Sequence, residues 1–359
     1  MSYVRNLPYN DLPDLPPKVD LETKPVLKGA LKAHAALAEL RGIGSQIPQH
    51  TLIIRAIGLQ EALASSHLDN IAASTDEIYL ALANSTERPT AATLEVVRYH
   101  DAFIGALGTL QDRPRLGEDL YCQIASTISQ QKISIRDSVE IKVLDANGRT
   151  IYTPPSGQAV IRAKLGNLEQ FLRTESDLDP LVKLAVLHYQ FEAIHPLEDC
   201  NGRCGRIVAV LYLTMQKLLD IPVFYLSKYL LERRADYYSF HRLVTEEGAW
   251  HMWVSFMLEA ICEAARQTTE KVLAIKALGL EMQELVKERL PKMYSWELLE
   301  LLFYQPYCKI RFLEERAIAK RQTAAVYLRA LEEIGVVQSI KVGRDNYFIN
   351  RRFLNVLGK

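Results

Sequence analysis

The sequence has no excess charge of either sign: 43 lysines and arginines stand against 43 acidic residues in a chain of 359. No whole-chain field therefore draws it to nucleic acid or anionic lipid, and any nucleic-acid contact must come from a local patch. No stretch reaches the roughly 18 apolar residues a membrane helix needs, and the first residues, MSYVRNLPYNDLPDLPP, hold no apolar core of a signal peptide, so no membrane partner is expected. Cysteine is scarce. The five at 122, 200, 204, 262 and 308 are an odd, scattered set that suits reduced thiols in a cytoplasmic protein better than a secreted disulfide framework. Glycine (17) and proline (15) are at ordinary levels, which excludes a collagen-like or low-complexity chain. Neither an internal repeat nor a Gly-Lys-Ser/Thr phosphate loop is present.

What is present is mainly helical periodicity. Residues 3–24 form a proline-punctuated arm (Pro8, Pro13, Pro16, Pro17) expected to lie extended on the surface. Helical patterns follow from about 25 to 130, with loops expected at Ser85–Thr90 and Gln111–Gly117. Between 134 and 153 two β-prone runs, VEIKVL and TIY, flank Asp145-Ala-Asn-Gly, a strong hairpin signal. Helices are expected again at 158–173, 178–194, 201–219, 227–243 and 249–290, the last broken once or twice. The final stretch, 291–359, reads as three helices and two short strands, VVQSIKV and YFINRRF, around a turn, which is the winged-helix arrangement. The fold class is thus mainly α, in three parts: 1–110, an arm and helical region; 111–290, a helical core with a β-hairpin; and 291–359, a winged-helix domain.

The densest chemistry is His195-Pro-Leu-Glu-Asp-Cys-Asn-Gly-Arg-Cys-Gly-Arg206. Pro196 ends the preceding apolar helix, and the next apolar run starts at Ile207, so a tight loop feeds a helix N-terminus near Asn201. Free backbone N–H groups and the helix dipole favour an anion there. Arg203 and Arg206, three apart, share a face of that first turn and work against the dipole, which a polyphosphate would explain. The bland alternative is an apolar helix–turn–helix whose arginines pair with nearby acids. A zinc site from His195, Cys200 and Cys204 lacks a fourth ligand at any usual spacing. Asp199 would suit a magnesium ion held mainly by phosphates and water.

This segment resembles the signature of the Fic family, His-Pro-Phe-x-Asp/Glu-Gly-Asn-Gly-Arg-x-x-Arg. It matches at His195, Pro196, Asp199, Asn201, Gly202, Arg203 and Arg206, and departs at Leu197 for Phe and Cys200 for Gly. The flanking HYQFEAIHP, LSKYLLERRADYY and TIYTPPSG also resemble Fic core helices and flap. The resemblance implies AMPylation, the transfer of AMP from ATP to a Ser, Thr or Tyr hydroxyl of a target protein, including the enzyme itself. By the same resemblance His195 is the general base and Asp199 holds Mg²⁺. The loop and helix start (Cys200, Asn201, Gly202, Arg203, Cys204, Gly205, Arg206) bind phosphates. The flap residues Thr153, Pro154, Pro155, Ser156 and Gly157 hold an extended target segment. Tyr237 is a candidate for packing on the adenine, and equally for a core aromatic. Leu197 keeps an apolar plug. Cys200 costs about 1 kcal/mol or more if its φ is positive, and would then distort the cradle.

Upstream, Ser65-Ser-His-Leu-Asp-Asn70 resembles the family's inhibitory Ser/Thr-x-x-x-Glu-Gly/Asn, whose glutamate pairs with the second motif arginine. Ser65 and Asn70 match. Asp69 replaces the glutamate, and its carboxylate should fall roughly 1.5 Å short of Arg206 unless the helix sits closer.

A second function class is a DNA-binding regulator with a degenerate Fic core. Residues 306–359 hold eleven basic residues against five acids, and Lys320, Arg321, Gln322 and Thr323 open the candidate recognition helix, with Arg344 at the wing tip. Against this, many winged helices serve as homodimer or protein-docking modules, and a net charge of this size also suits a solvated face, so DNA is the lesser expectation for this domain.

Overall fold

The computed structural model describes residues 3–44, 50–83, 88–137, 141–144, 148–174 and 177–358. The chain starts as an irregular strap over residues 3–23, as its prolines require. Five helices follow: α1 (Lys24–Gly44), α2 (His50–Leu68), α3 (Thr75–Leu82), α4 (Ala91–Asp112) and α5 (Glu118–Ser129). Their starts follow local chemistry. Ser74 and Glu77 close a capping box on α3, and Thr90 caps α4. The hairpin consists of β1 (Val143–Leu144) and β2 (Thr150–Tyr152), paired antiparallel with Val143 opposite Tyr152. Its expected Asp145–Asn147 turn, Val139–Glu140 of the first run and the first half of the Ser85–Thr90 loop lie outside the described residues.

The core is built on α6 (Gln158–Arg173), α7 (Pro180–Ile194) and α8 (Asn201–Met215). Helix α7 is apolar nearly all round and buried on every face, from Leu181 to Ile194, so it is the centre of the bundle rather than a surface helix. Helix α8 packs on α7, α4 and α5, and α2 packs on α4. Two expectations fail beyond this point. The single helix expected over 227–243 is two, α9 (Leu226–Glu232) and α10 (Arg234–Glu247), parted at Arg233, whose φ of −111° and ψ of 32° leave the helical region. The stretch 249–290 is one unbroken helix, α11 (Trp250–Arg289), about 60 Å long at 1.5 Å per residue. It contains no proline, and one buried stripe runs its whole length, from Trp253 to Val286.

The last part contains α12 (Trp296–Tyr304), β3 (Tyr307–Cys308), α13 (Ile310–Glu315), α14 (Arg321–Glu333), β4 (Gln338–Val342), β5 (Asp345–Ile349) and α15 (Arg351–Gly358). The sheet order is β3-β5-β4. The three helices and the hairpin match the sequence pattern, but strand β3 and helix α15 were not expected. The second strand stops at Ile349 because Asn350 turns the chain and caps α15, its Oδ1 accepting from Phe353 N at 3.1 Å. No helix among the described residues is long and apolar enough to cross a membrane.

Candidate active site

The loop between α7 and α8 is held from three sides. His195 caps α7 in the left-handed region (φ 49°), its N–H donating to Phe191 O at 3.0 Å. Arg136, 2% exposed, grips the turn: Nε donates to His195 O (2.6 Å), and Nη2 to Ile194 O (3.1 Å) and Pro155 O (2.5 Å). Its own N–H donates to Pro196 O at 3.1 Å. One arginine therefore ties the backbone of the α7–α8 loop to the end of the flap. Tyr152 adds a second tie, its hydroxyl donating to Ala193 O at 2.7 Å. Leu197 is fully buried, filling the apolar plug position.

Fewer backbone N–H groups are free at the start of α8 than the sequence suggests. Cys200 is left-handed (φ 64°, ψ 19°) and is the N-cap of α8. The first intrahelical bond is therefore Cys204 N to Cys200 O at 2.9 Å, which uses the Cys204 amide. Only the N–H groups of Asn201, Gly202 and Arg203 lack an intrahelical acceptor. The Cys200 amide is bonded to Asp199 Oδ1 at 2.6 Å, and the Cys204 side chain faces the core beside Tyr121 O. Asn201 braces the loop rather than offering its amide to a ligand: Oδ1 accepts from Leu197 N (2.8 Å) and Nδ2 donates to Leu197 O (2.9 Å). Gly202 and Gly205 are glycine for space. A Cβ at 202 would meet Arg206 Nη1 at 2.9 Å, and one at 205 would overlap Glu192 Oε1.

The inhibitory-type pair is formed in spite of the shorter aspartate. Asp69 Oδ2 lies 2.8 Å from Arg206 Nη2 and 3.4 Å from Arg203 Nε. Arg206 also donates from Nε to Ser65 Oγ (2.6 Å) and from Nη2 to Ser65 O (3.0 Å). Helix α2 sits close enough to absorb the missing methylene, so the expected shortfall does not occur. Asn70 is left-handed (φ 63°) just past α2, and its Oδ1 accepts from Arg234 Nη1 at 3.0 Å. Arg203 is engaged with Glu95, a residue the motif does not contain.

These groups open into one cleft of about 860 Å³, lined by Asp69, Glu192, His195, Asp199, the 200–203 turn, Arg206, Tyr237 and Tyr238, with Tyr3 and Tyr152 on the flap side. Burial and the nearby Arg136 push the His195 imidazole down to about 4, while a hydrogen bond to the Glu192 backbone opposes this; the ring is neutral at pH 7 and able to accept a proton. Burial pushes Glu192 up to about 7 and the Cys200 thiol up to about 12, so this cysteine is not a thiolate nucleophile. Tyr237 is buried, with its hydroxyl 2.9 Å from His188 Nε2 and its ring among Trp253, Phe256 and Tyr238. It is a core aromatic that also forms cleft wall. Tyr238, 42% exposed, is the more available ring, and sequence reasoning passed over it. Asp199 is exposed, a single hard-oxygen donor, and no cluster of three metal-ligating side chains occurs among the described residues. That donor set fits a magnesium ion which takes its other ligands from phosphate and water.

The flap residues lie just beyond β2. Thr153, Pro154 and Pro155 are buried, and Ser156 and Gly157 lead into α6. Of the eleven basic residues in 306–359, several are committed within the molecule. Lys309 pairs with Asp345, Arg311 donates to Ala83 O, Arg316 lies over Tyr304, and Arg351 and Arg352 lie beside Asp76 and Glu281. Lys320, Arg321, Gln322, Thr323 and Arg344 are exposed.

Comparison with known families agrees with this geometry. Residues 27–107 match the Fic/DOC family N-terminal profile, and residues 115–213, which contain the whole His195–Arg206 segment, match the Fic/DOC family profile. The chain belongs to the Fic/DOC family. Residues 278–353 of this Fic protein match the C-terminal domain of SoFic-like protein adenylyltransferases. A probable protein adenylyltransferase of Aquifex aeolicus is 33% identical over 79 residues, which is 22% of this chain and 24% of that protein. The protein adenylyltransferase fic-1 of Caenorhabditis elegans is 34% identical over 90 residues, 24% of this chain and 16% of that one. The alignments thus span a quarter or less of the length of these curated relatives. Among solved structures, a Fic family protein from Desulfovibrio desulfuricans superposes with a TM-score of 0.62 at 16% identity, covering 93% of this chain and 98% of its own. A Fic-domain signalling protein from Bacteroides thetaiotaomicron gives 0.55 at 16%, covering 67% and 96%. At that identity the likeness establishes the Fic fold.

Proposed function

We propose that this Fic protein is a protein adenylyltransferase, moving AMP from ATP to a Ser, Thr or Tyr hydroxyl of a protein, itself included. The observation that carries the reading is one cleft joining a neutral histidine to a helix N-terminus and two arginines, Arg203 and Arg206. The target oxygen attacks the α-phosphorus, the bond from that phosphorus to the pyrophosphate oxygen breaks, and His195 takes the hydroxyl proton. The N–H groups of Asn201, Gly202 and Arg203 and the side chain of Arg206 stabilise the phosphate charge that develops. Asp199 would hold Mg²⁺, which when bound neutralises charge on the phosphates. Arg136 acts at one remove, fixing the His195 backbone against the flap. Asp69 holds Arg206 away from the outer phosphates, so the resting chain is self-inhibited.

The test is incubation of the full chain with Mg²⁺ and ATP labelled at the α- or the γ-phosphate. Covalent label from α-labelled ATP is expected in Asp69→Gly and lost in Asp69→Gly/His195→Ala. Label from the γ-position alone would make it a phosphotransferase and refute the reading. The exposed Lys320–Thr323 turn and Arg344 support a second reading, in which the C-terminal domain also contacts DNA. Duplex binding that weakens steeply with salt, with no label in any variant, would favour a regulator built on an inactive core.

A further inference from the structure

One acid in the cleft takes no part in the histidine or the arginine chemistry. Glu192 stands three residues before His195, in the last turn of α7. It lines the cleft, and its Oε1 is buried against α8 with no hydrogen-bond partner among the described residues. Helix α8 makes room for it, because Gly205 lies opposite and any Cβ there would overlap Oε1. The other acids that line the cleft are engaged. Asp69 holds Arg206, Glu95 holds Arg203, Asp199 accepts from the Cys200 amide, and Glu198 bonds Ser134.

A buried carboxylate without donors is costly, and a buried acceptor left unpaired is uncommon in a folded chain. The surroundings of Glu192 give little relief. Arg206 of α8 favours its ionised form, and Asp69 of α2 opposes that. From α10 it meets Tyr237 and Tyr238, and from α8 the Cys204 thiol, all neutral at pH 7 because burial raises them. His195, on its own side of the cleft, is neutral as well. Burial pushes Glu192 up to about 7, so at neutral pH about half of the molecules carry its proton.

A triphosphate in the cleft changes this balance. The outer phosphates claim the Arg206 guanidinium that steadies the carboxylate, and they bring several negative charges beside it. A carboxylate there repels the ligand. A carboxylic acid instead has an O–H to give to a phosphate oxygen, the acceptor now in excess.

We propose that Glu192 is a nucleotide-contacting residue that meets the polyphosphate as a neutral carboxylic acid, donating a hydrogen bond to a phosphate oxygen, so that the cleft takes up a proton with its nucleotide. The proton comes from solvent, an O–H bond forms on Glu192, and no bond to phosphorus changes. Nucleotide affinity is therefore highest below about pH 7 and falls above it, as the free protein loses the proton that the complex keeps. This role rests on the adenylyltransferase reading, which brings the polyphosphate into the cleft.

The experiment is isothermal titration calorimetry of the full chain with Mg²⁺ and the α,β-methylene analogue of ATP, in two buffers of unequal ionisation enthalpy. The two proteins compared are Asp69→Gly and Asp69→Gly/Glu192→Gln, so that the outer phosphates reach Arg206 in both and protons taken up by the nucleotide itself cancel. The protein with Glu192 should take up about half a proton more per nucleotide at pH 7, and about one more at pH 8. Its affinity should fall about tenfold from pH 6 to pH 8, while the Gln protein, whose amide is a permanent donor, should change far less. A merely structural Glu192 would alter the melting temperature and leave the proton count unmoved. Should the Gln substitution impair folding, infrared difference spectra of Asp69→Gly give a second measurement, in which a new carboxylic-acid carbonyl band must grow as nucleotide is added. Equal proton uptake and equal pH dependence in the two proteins, with nucleotide bound, overturn the role of Glu192 and leave the adenylyltransferase reading standing. Nucleotide binding in neither protein at any pH brings down both.

Discussion

Removing Asp69 should release the enzyme, and the structure sets the scale. Its Oδ2 makes one direct, charge-assisted contact with Arg206 at 2.8 Å, on a guanidinium that is 1% exposed. A hydrogen bond to a charged group contributes about 1.5–3 kcal/mol. If the outer phosphates must displace it, Asp69→Gly lowers the barrier by that amount, equivalent to about 10–150-fold in transfer rate. Arg206 keeps Ser65 as a partner, so the fold should survive with a stability loss of about 1–3 kcal/mol, part of which ATP restores by mass action. Asp69→Glu is the sharper arm of the test. The extra methylene adds about 1.5 Å to a gap already closed, and Gly202 lies directly opposite, with a Cβ there only 3.3 Å from Asp69 Oδ1. The glutamate must bend aside, so labelling should be no slower than wild type. The assay is α-labelled ATP uptake by the three proteins at equal ATP, alongside melting temperatures with and without nucleotide. Equal rates for wild type and Asp69→Gly, or clearly slower labelling by Asp69→Glu, would refute the reasoning.

Cys200→Gly removes a Cβ from a left-handed residue and should raise the melting free energy by about 1 kcal/mol, readable in urea unfolding, with transfer unchanged or faster. Because burial holds His195 near 4, the acid limb of kcat/KM in Asp69→Gly should lie near that value rather than at the 6.5 of a free histidine. Burial also depresses His188 and His241, to about 3 and about 4, which costs stability below about pH 6.5, while Glu192 and Glu61, pushed up to about 7 by burial, bind protons in the folded chain and work the other way between pH 7 and 5. In an NMR titration the three rings should stay neutral from pH 7 to 5, and an imidazolium signal already present at pH 6 would contradict this.

Local chemistry made the site legible where it is local. Pro196 and the apolar run from Ile207 bracket the loop, and Gly157 and Arg173 mark the limits of α6. The left-handed backbone at Cys200 follows from a cysteine standing where the Fic signature has glycine. What escaped the sequence is long-range. Arg136 acts 59 residues before the loop it grips and reads as an ordinary surface charge. The reach of Asp69 depends on how near α2 settles, which is fixed by packing on α4 and α9 rather than by its own sequence. The strap lacks any periodicity, so its contacts with the flap carry no sequence signal. Strand β3 is two residues long, and its pairing with β5 is set by tertiary contact.

Helix α11 has a mechanical consequence. Its first half packs against α1, α7 and α10, and its far end carries the C-terminal domain, with Met282 and Glu281 contacting Asn350 and Arg352, and Lys271 Nζ donating to Leu357 O. The two parts therefore share a beam instead of a tether. That domain also leans on α2, where Arg55 lies 4.0 Å over the Tyr304 ring, on the same helix whose end presents Ser65 and Asp69 to Arg206. A load applied at α12 is shared between a rigid rod on one side and, on the other, the helix that ends at the Ser65 and Asp69 contacts to Arg206.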